Sequence, residues 1–122
     1  MLEFHRLAKS SLVETPTANI SPETKALRIR LIREETEELI EAIEQKSLRE
    51  IAKELADVLY VLLGTVIAFG LHSVFEKVFT AVHNSNLSKF GEDKNSNSIT
   101  FQGKVMKGKR FKPADLSFLP EE

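Results

Sequence analysis

Two clusters of acidic residues are the part of this sequence whose residue types and spacing could do chemistry. Glu34, Glu35 and Glu38 stand close together, and Glu54 and Asp57 follow further along the chain. Residues three or four apart share one face of a helix, so each cluster would present its carboxylates together. Carboxylate oxygens suit hard divalent ions such as Mg²⁺ or Mn²⁺. The sequence therefore predicts a magnesium or manganese site, provided that the two segments are helices facing each other.

Helical phase supports an inward direction for these acids. At about 100° per residue, the first cluster falls on the same side as Leu27 and Leu31, the stripe that should face a core. Glu54 and Asp57 interrupt an otherwise apolar helix. No basic residue is expected on their face, so the two carboxylates would repel each other without a cation. The remaining acids of the first helix are predicted on its wet face, and these are Glu37, Glu41 and Glu44.

The elements that would position the acids are three helices, predicted over about 22–45, 48–69 and 74–90. Ser21 precedes Pro22 as an N-cap, and capping boxes begin at Ser47 and Ser73. Gly70 and Gly91 are placed to end the second and third helices. A short helix is predicted over residues 1–13, and a basic, less regular tail from about residue 91. Together these elements predict a single all-α domain over residues 1–122, an antiparallel helical bundle.

The short connection between the first two helices predicts that both acidic clusters lie at the same depth. Glu35 lies about 12 residues before the turn and Asp57 about 10 after it, and each helical residue advances the chain by about 1.5 Å. Antiparallel packing would then bring the carboxylates together across a shared interior.

Composition narrows the class of protein. The chain has 17 basic and 18 acidic residues and no cysteine, so disulfides and thiolate sites are excluded, and overall charge favours neither a membrane nor a nucleic acid as partner. No signal peptide is visible, and the uncharged run 58–71 is shorter than the roughly 20 residues that span a bilayer. We expect a cytoplasmic protein. A helix that is apolar nearly all round needs cover on every side, which predicts a homodimer or homotetramer.

The acidic clusters and the basic tail allow three other interpretations. A di-iron bundle requires Glu-x-x-His pairs, which the sequence lacks. An ion-pair network requires arginines near the acids, whereas the basic residues of these helices are predicted to point elsewhere. The third, from another class, is a non-catalytic helical module that binds a protein or a nucleic acid through the basic tail. Such a module does not need inward-facing carboxylates.

Longer strings in the sequence resemble the MazG-like all-α nucleoside triphosphate pyrophosphohydrolases. The segments 27–39 and 50–61, which contain Glu-x-x-Glu and Glu-x-x-Asp, look like the core of this superfamily. The segments 82–89, 103–108 and 113–116 are similar to its phosphoribosyl-ATP pyrophosphohydrolase-like branch. Asn84 stands where that branch often has Arg, and Ala114 where it usually has Pro. The resemblance covers most of residues 25–116.

The resemblance implies a Mg²⁺-dependent enzyme, with Mn²⁺ as an alternative, that cleaves between the α and β phosphates of a nucleoside triphosphate to give a nucleoside monophosphate and pyrophosphate. It implies Glu35, Glu38, Glu54 and Asp57 as metal ligands, and Glu34 as a further ligand or the base that orients water. Asn86 and Lys89 are implied as substrate contacts. For Lys104 and Lys107, contact with the leaving pyrophosphate and a solubilising role stay equally open. The preferred base and sugar cannot be read from the sequence.

Overall fold

The structure, a computed structural model, describes residues 13–45, 47–90 and 111–122. Within them it contains three helices, α1 (Pro22–Gln45), α2 (Leu48–Ala68) and α3 (Phe75–Ser88), and no strand. The all-α fold class is thereby confirmed. None of these helices combines the length and apolar character that crossing a membrane requires. Residues 1–12 of the helix predicted over residues 1–13, and the tail residues 91–110, lie outside the described residues.

Local chemistry explains where α1 and α2 begin and end. The Ser21 hydroxyl accepts a hydrogen bond from the Thr24 amide at 3.1 Å, and the Ser47 hydroxyl accepts one from the Glu50 amide at 3.5 Å, as expected of N-caps. After α2 the chain turns at Gly70, whose φ of 68° lies in the left-handed region. A side chain there would also collide with the Thr15 carbonyl. The predicted glycine stop is therefore confirmed, although α2 ends one residue earlier than predicted.

Helices α1 and α2 pack against each other in antiparallel fashion. The end of α1 that contains Ala42 lies beside the start of α2, whereas Arg28, near the start of α1, reaches the far end of α2. Its guanidinium donates to the Val61 carbonyl at 3.3 Å and to the Thr65 hydroxyl at 3.2 Å. Ala42 and Ile67 are each 3% exposed and are the fully buried apolar side chains among the described residues. This helix pair, with the preceding loop from residue 13 and with Glu122, forms one compact unit.

The second compact unit, within residues 73–121, contains α3 and the described end of the tail. The predicted cap at Ser73 is wrong. The N-cap is Val74, which has no side-chain oxygen and makes no side-chain cap, so α3 begins at Phe75. The Ser85 hydroxyl donates to the Lys112 carbonyl at 2.7 Å. Ser88 accepts from the Lys112 amide at 2.8 Å, and so both serines hold the tail on the helix.

Candidate metal and active site

Three of the four predicted metal ligands come together between α1 and α2. One carboxylate oxygen from each of Glu35, Glu38 and Glu54 lies within 4.8 Å of the others. Glu35 and Glu38 are three residues apart on α1 and so share one face. Antiparallel packing places Glu54 of α2 at the same depth, as predicted. We refer to these three residues as the acidic cluster.

The acidic cluster contains buried oxygen atoms without a partner. Glu54 is 9% exposed, and the Oε2 atoms of Glu54 and Glu35 are both buried with no hydrogen bond. Burial raises the pKa of Glu35, and the negative charges of Glu38, Asp57 and Glu54 raise it further, whereas Lys53 lowers it. Unpaired buried carboxylate oxygens are unfavourable, because they have lost water without gaining a replacement. The cluster is therefore an arrangement that a cation would stabilise.

A small cavity of about 190 Å³ lies beside the acidic cluster. Ala42 forms part of its wall, and its short side chain leaves space where a longer one would pack. Two acids that were not assigned to the site, Glu41 and Glu50, also line it. The prediction of a wet outer position for Glu41 is thus incomplete, because Glu41 is exposed to solvent and also borders this cavity. The full lining is Glu38, Glu41, Ala42, Glu50 and Glu54.

Asp57, the fourth predicted ligand, is held by a lysine. The Nζ atom of Lys53 lies 2.8 Å from Oδ2 of Asp57 and 3.4 Å from Oε1 of Glu54. Hydrogen bonds to Asp57 and then to Glu54 raise the pKa of Lys53, so it stays protonated. The expectation that no base shares the face of these acids is therefore wrong. Lys53 precedes Asp57 by four residues, and residues at this spacing are neighbours on one face of a helix.

Glu34, predicted as a further ligand or as the base, lies outside the acidic cluster. Its side chain is 57% exposed and its Oε1 atom lies 3.9 Å from Nε of Arg30. Arg30 and Glu34 are four residues apart, the spacing at which side chains on a helix are neighbours. In the structure α1 is rotated so that Glu35, and not Glu34, faces α2. Among the described residues, the ion-pair contact of the Glu34 side chain is thus with Arg30 and not with the acidic cluster.

The predicted substrate contacts belong to the other compact unit or to residues that are not described. Asn86 is exposed near the end of α3, and Lys89 follows the helix with a half-buried side chain. The Lys89 amide donates to the Asn86 carbonyl at 3.2 Å, which tightens the last turn. Lys104 and Lys107 lie outside the described residues. These four assignments stay predictions.

The residues present fit a hard divalent ion. The donors are all carboxylate oxygens, two of them buried and without a hydrogen bond, and their spacing lets one ion contact three side chains. Thiolates are absent, since the chain has no cysteine, and imidazoles do not belong to the group. This donor set favours Mg²⁺ or Mn²⁺ over softer metals.

Comparison with known proteins agrees with this fit. The chain is 31% identical over 81 residues to an uncharacterised protein of Acanthamoeba polyphaga mimivirus, and the match covers 66% of this chain and 32% of that relative. The chain therefore spans about a third of the length of the curated relative that it matches. Residues 1–86 match the family described as phosphoribosyl-ATP pyrophosphohydrolase. The chain thus belongs to the phosphoribosyl-ATP pyrophosphohydrolase family, within the MazG-like all-α nucleoside triphosphate pyrophosphohydrolases.

Proposed function

We propose that the protein is a Mg²⁺-dependent pyrophosphohydrolase that acts on a nucleotide. It would cleave the bond between the α and β phosphates of a nucleoside triphosphate and release a nucleoside monophosphate and pyrophosphate. The observation that carries this proposal is the acidic cluster. One oxygen from each of its side chains lies within 4.8 Å of the others, and Glu35 and Glu54 each have a buried oxygen without a partner. Family membership makes a phosphoanhydride the substrate to test first.

The ligands in this proposal are Glu35, Glu38 and Glu54, with Asp57 joining them. Mn²⁺ would serve in place of Mg²⁺, because both ions accept oxygen ligands. A bound ion offsets the charge of the phosphate oxygens and makes its coordinated water more acidic. Without a cation, the same carboxylates would repel an anionic nucleotide, so binding of substrate and binding of metal are linked.

We assign Glu34 as the general base that accepts a proton from the attacking water. Water attacks the α phosphorus, and the Glu34 carboxylate takes the proton that the water loses. The bond from this phosphorus to the bridging oxygen breaks, and its electron pair leaves with pyrophosphate. Arg30 lies 3.9 Å from the Glu34 carboxylate. Ligation by Glu34 is the other role that its sequence position allows.

We further propose that the protein is a homodimer, or a tetramer built from such dimers. One face of α2 carries apolar residues spaced alternately four and three apart, the pattern of a helix–helix seam. In the described structure this seam faces solvent, and Leu48 is 80% exposed. The other large exposed residues of the seam are Leu55, Leu59 and Leu62, at 52%, 56% and 44%. A second copy would bury them, because large apolar patches on soluble proteins usually mark contact surfaces.

The direct test measures pyrophosphate release from a panel of nucleotides with and without Mg²⁺. The panel includes canonical nucleoside triphosphates, deoxyuridine triphosphate and a phosphoribosyl-linked nucleotide, since the sequence does not select among them. Glu38→Gln should abolish release while the helices persist by circular dichroism. Glu44→Gln, on the exposed side of the same helix, is the matched control and should retain activity.

Two results would reject the proposal. One is full activity in Glu38→Gln, and the other is no release from any nucleotide by a folded wild-type protein. A thermal shift distinguishes the helical interaction module, since metal with a non-hydrolysable nucleotide should stabilise an enzyme and leave such a module unchanged.

A further inference from the structure

We propose that Lys53 is an internal counter-cation of the site, whose ammonium competes with the divalent ion for Glu54 and Asp57. Lys53 would thereby stabilise the metal-free protein and weaken its affinity for metal. This inference rests on the proposed metal-dependent function, and it adds a residue that the Glu-x-x-Glu and Glu-x-x-Asp motifs do not contain.

Lys53 contacts two of the carboxylates that a metal would need. Its ammonium lies 2.8 Å from Oδ2 of Asp57 and 3.4 Å from Oε1 of Glu54. A hydrogen-bonded oxygen directs a lone pair at the ammonium, and that lone pair cannot coordinate an ion at the same time. Two cations on the same carboxylates would also repel each other. Coordination through both oxygens of each acid therefore requires the ammonium to leave, and coordination through the buried Oε2 of Glu54 alone would still place two cations on one carboxylate.

The surroundings single out Lys53 for this role. Among the described residues, it is the cation within ion-pair distance of any of the four predicted ligands, and the other ion pair joins Arg30 to Glu34. Its side chain is 62% exposed, whereas that of Glu54 is only 12% exposed. The ammonium thus lies at the open side of a buried acid. A lysine stem is flexible and its head is easily rehydrated, so displacement toward solvent costs little.

The direction of the effect separates this role from a purely structural one. A lysine that only positions Asp57 for the metal would strengthen metal binding, and its loss would weaken it. A lysine that competes for the oxygens has the opposite effect, so its loss tightens metal binding. Either role would lower the stability of the metal-free protein when the lysine is removed, and so stability alone cannot decide.

Isothermal titration of the full chain with Mn²⁺ alone tests the proposal. We expect Lys53→Met, which keeps much of the apolar stem, to bind Mn²⁺ about three- to tenfold more tightly than wild type, as suits loss of a partly exposed ion pair. Its melting temperature without metal should fall. Lys53→Arg retains the charge and should keep an affinity near that of wild type. The gain in Lys53→Met should shrink at high salt, because salt screens exposed charges.

Arg49→Met is the matched control, since Arg49 is an exposed cation one turn earlier on α2 and makes no ion pair with the four acids in the described part of the chain. Its Mn²⁺ affinity should stay near that of wild type. Equal or weaker Mn²⁺ binding by Lys53→Met would overturn the role of Lys53 alone, provided that wild type binds the ion. Absence of Mn²⁺ binding by wild type would overturn the proposed function as well. If Lys53→Met fails to fold, Lys53→Gln serves the same comparison.

Discussion

The two faces of α2 reverse the usual distribution of side chains. The face toward α1 carries Glu54 at 9% exposure, whereas the opposite face carries Leu48 at 80% exposure. In a monomer without a bound cation the reverse is expected, since burial of a leucine side chain is favourable whereas burial of a carboxylate is costly. Each face is therefore suited to a different partner, a cation on the inner face and a protein surface on the outer one.

The proposed metal site and the proposed assembly both depend on α2. The inner face brings Glu54 to the two acids of α1, and Lys53 at its edge offsets part of their charge. The outer face adds no charged side chain along its row of leucines. Substitutions on the inner face should thus act mainly on metal binding and catalysis, and those on the outer face mainly on association.

The largest expected effect comes from the inner face. Glu54→Gln keeps the shape of the side chain but removes the charge that a metal requires, and we expect pyrophosphate release to fall by at least about 100-fold, since even outer-shell partners of a metal are worth about 10- to 100-fold. The metal-free variant should melt close to wild type, because it relieves repulsion within the acidic cluster but gives up the 3.4 Å ion pair between Glu54 and Lys53. Initial rates with Mg²⁺ and a thermal melt check both parts. A fully active variant would show that Glu54 is not a ligand.

Association should respond most strongly to the outer face. Leu59→Glu places a charge in the middle of the leucine row, where burial of each leucine is worth about 2 kcal/mol. At micromolar concentration we expect sedimentation velocity to show a monomer for Leu59→Glu and a dimer for wild type. Arg49→Glu is the control that adds an acid to α2 outside the leucine row, and this variant should remain a dimer. A wild-type protein that is monomeric at the same concentration would contradict the proposed assembly.

Sequence patterns predicted which acids meet at the inner face of α2 better than they predicted the other contacts of these acids. Helix phase and the short connection placed Glu35, Glu38 and Glu54 together, because both depend only on the regular geometry of helices. Two features were predicted incorrectly. Lys53 stands four residues before Asp57, so helix spacing places this base on the same face as the acid, although no base was expected there. Glu34 is exposed because Glu35, its neighbour on α1, is the residue that faces α2.

The unit that contains α3 shows the same limit. Ser73 and Glu76 have the spacing of a capping box, yet the helix starts after Val74 without a side-chain cap. The spacing of Ser85 and Ser88 was visible and places both hydroxyls on one face, but nothing in the sequence indicated that their partner is the backbone of Lys112. Such contacts depend on long-range packing, which local patterns do not encode.

A moderate effect on stability is expected from Arg28, a basic residue of α1 that contacts the inner face of α2. Arg28→Met removes the hydrogen bonds to the Val61 carbonyl and the Thr65 hydroxyl, and we expect a loss of about 1–2 kcal/mol in the free energy of unfolding. Urea titration followed by circular dichroism measures this change. Lys25→Met, at an exposed position of the same helix, controls for loss of charge and should have little effect. Equal stability of the two variants would show that Arg28 does not tie the helices together.

The smallest effect should come from the exposed ion pair on α1, which sharpens the contrast between inner and outer charges. Arg30 and Glu34 are 3.9 Å apart, with side chains 65% and 57% exposed, so Arg30→Met should change the free energy of unfolding by at most about 0.5 kcal/mol. Mn²⁺ affinity should stay unchanged if Glu34 acts on the proton of water, because Arg30 then contacts no metal ligand. Urea titration and calorimetry on the same variant measure both quantities. Clearly tighter Mn²⁺ binding would instead assign Glu34 to the metal, since removing Arg30 would free its carboxylate for the ion.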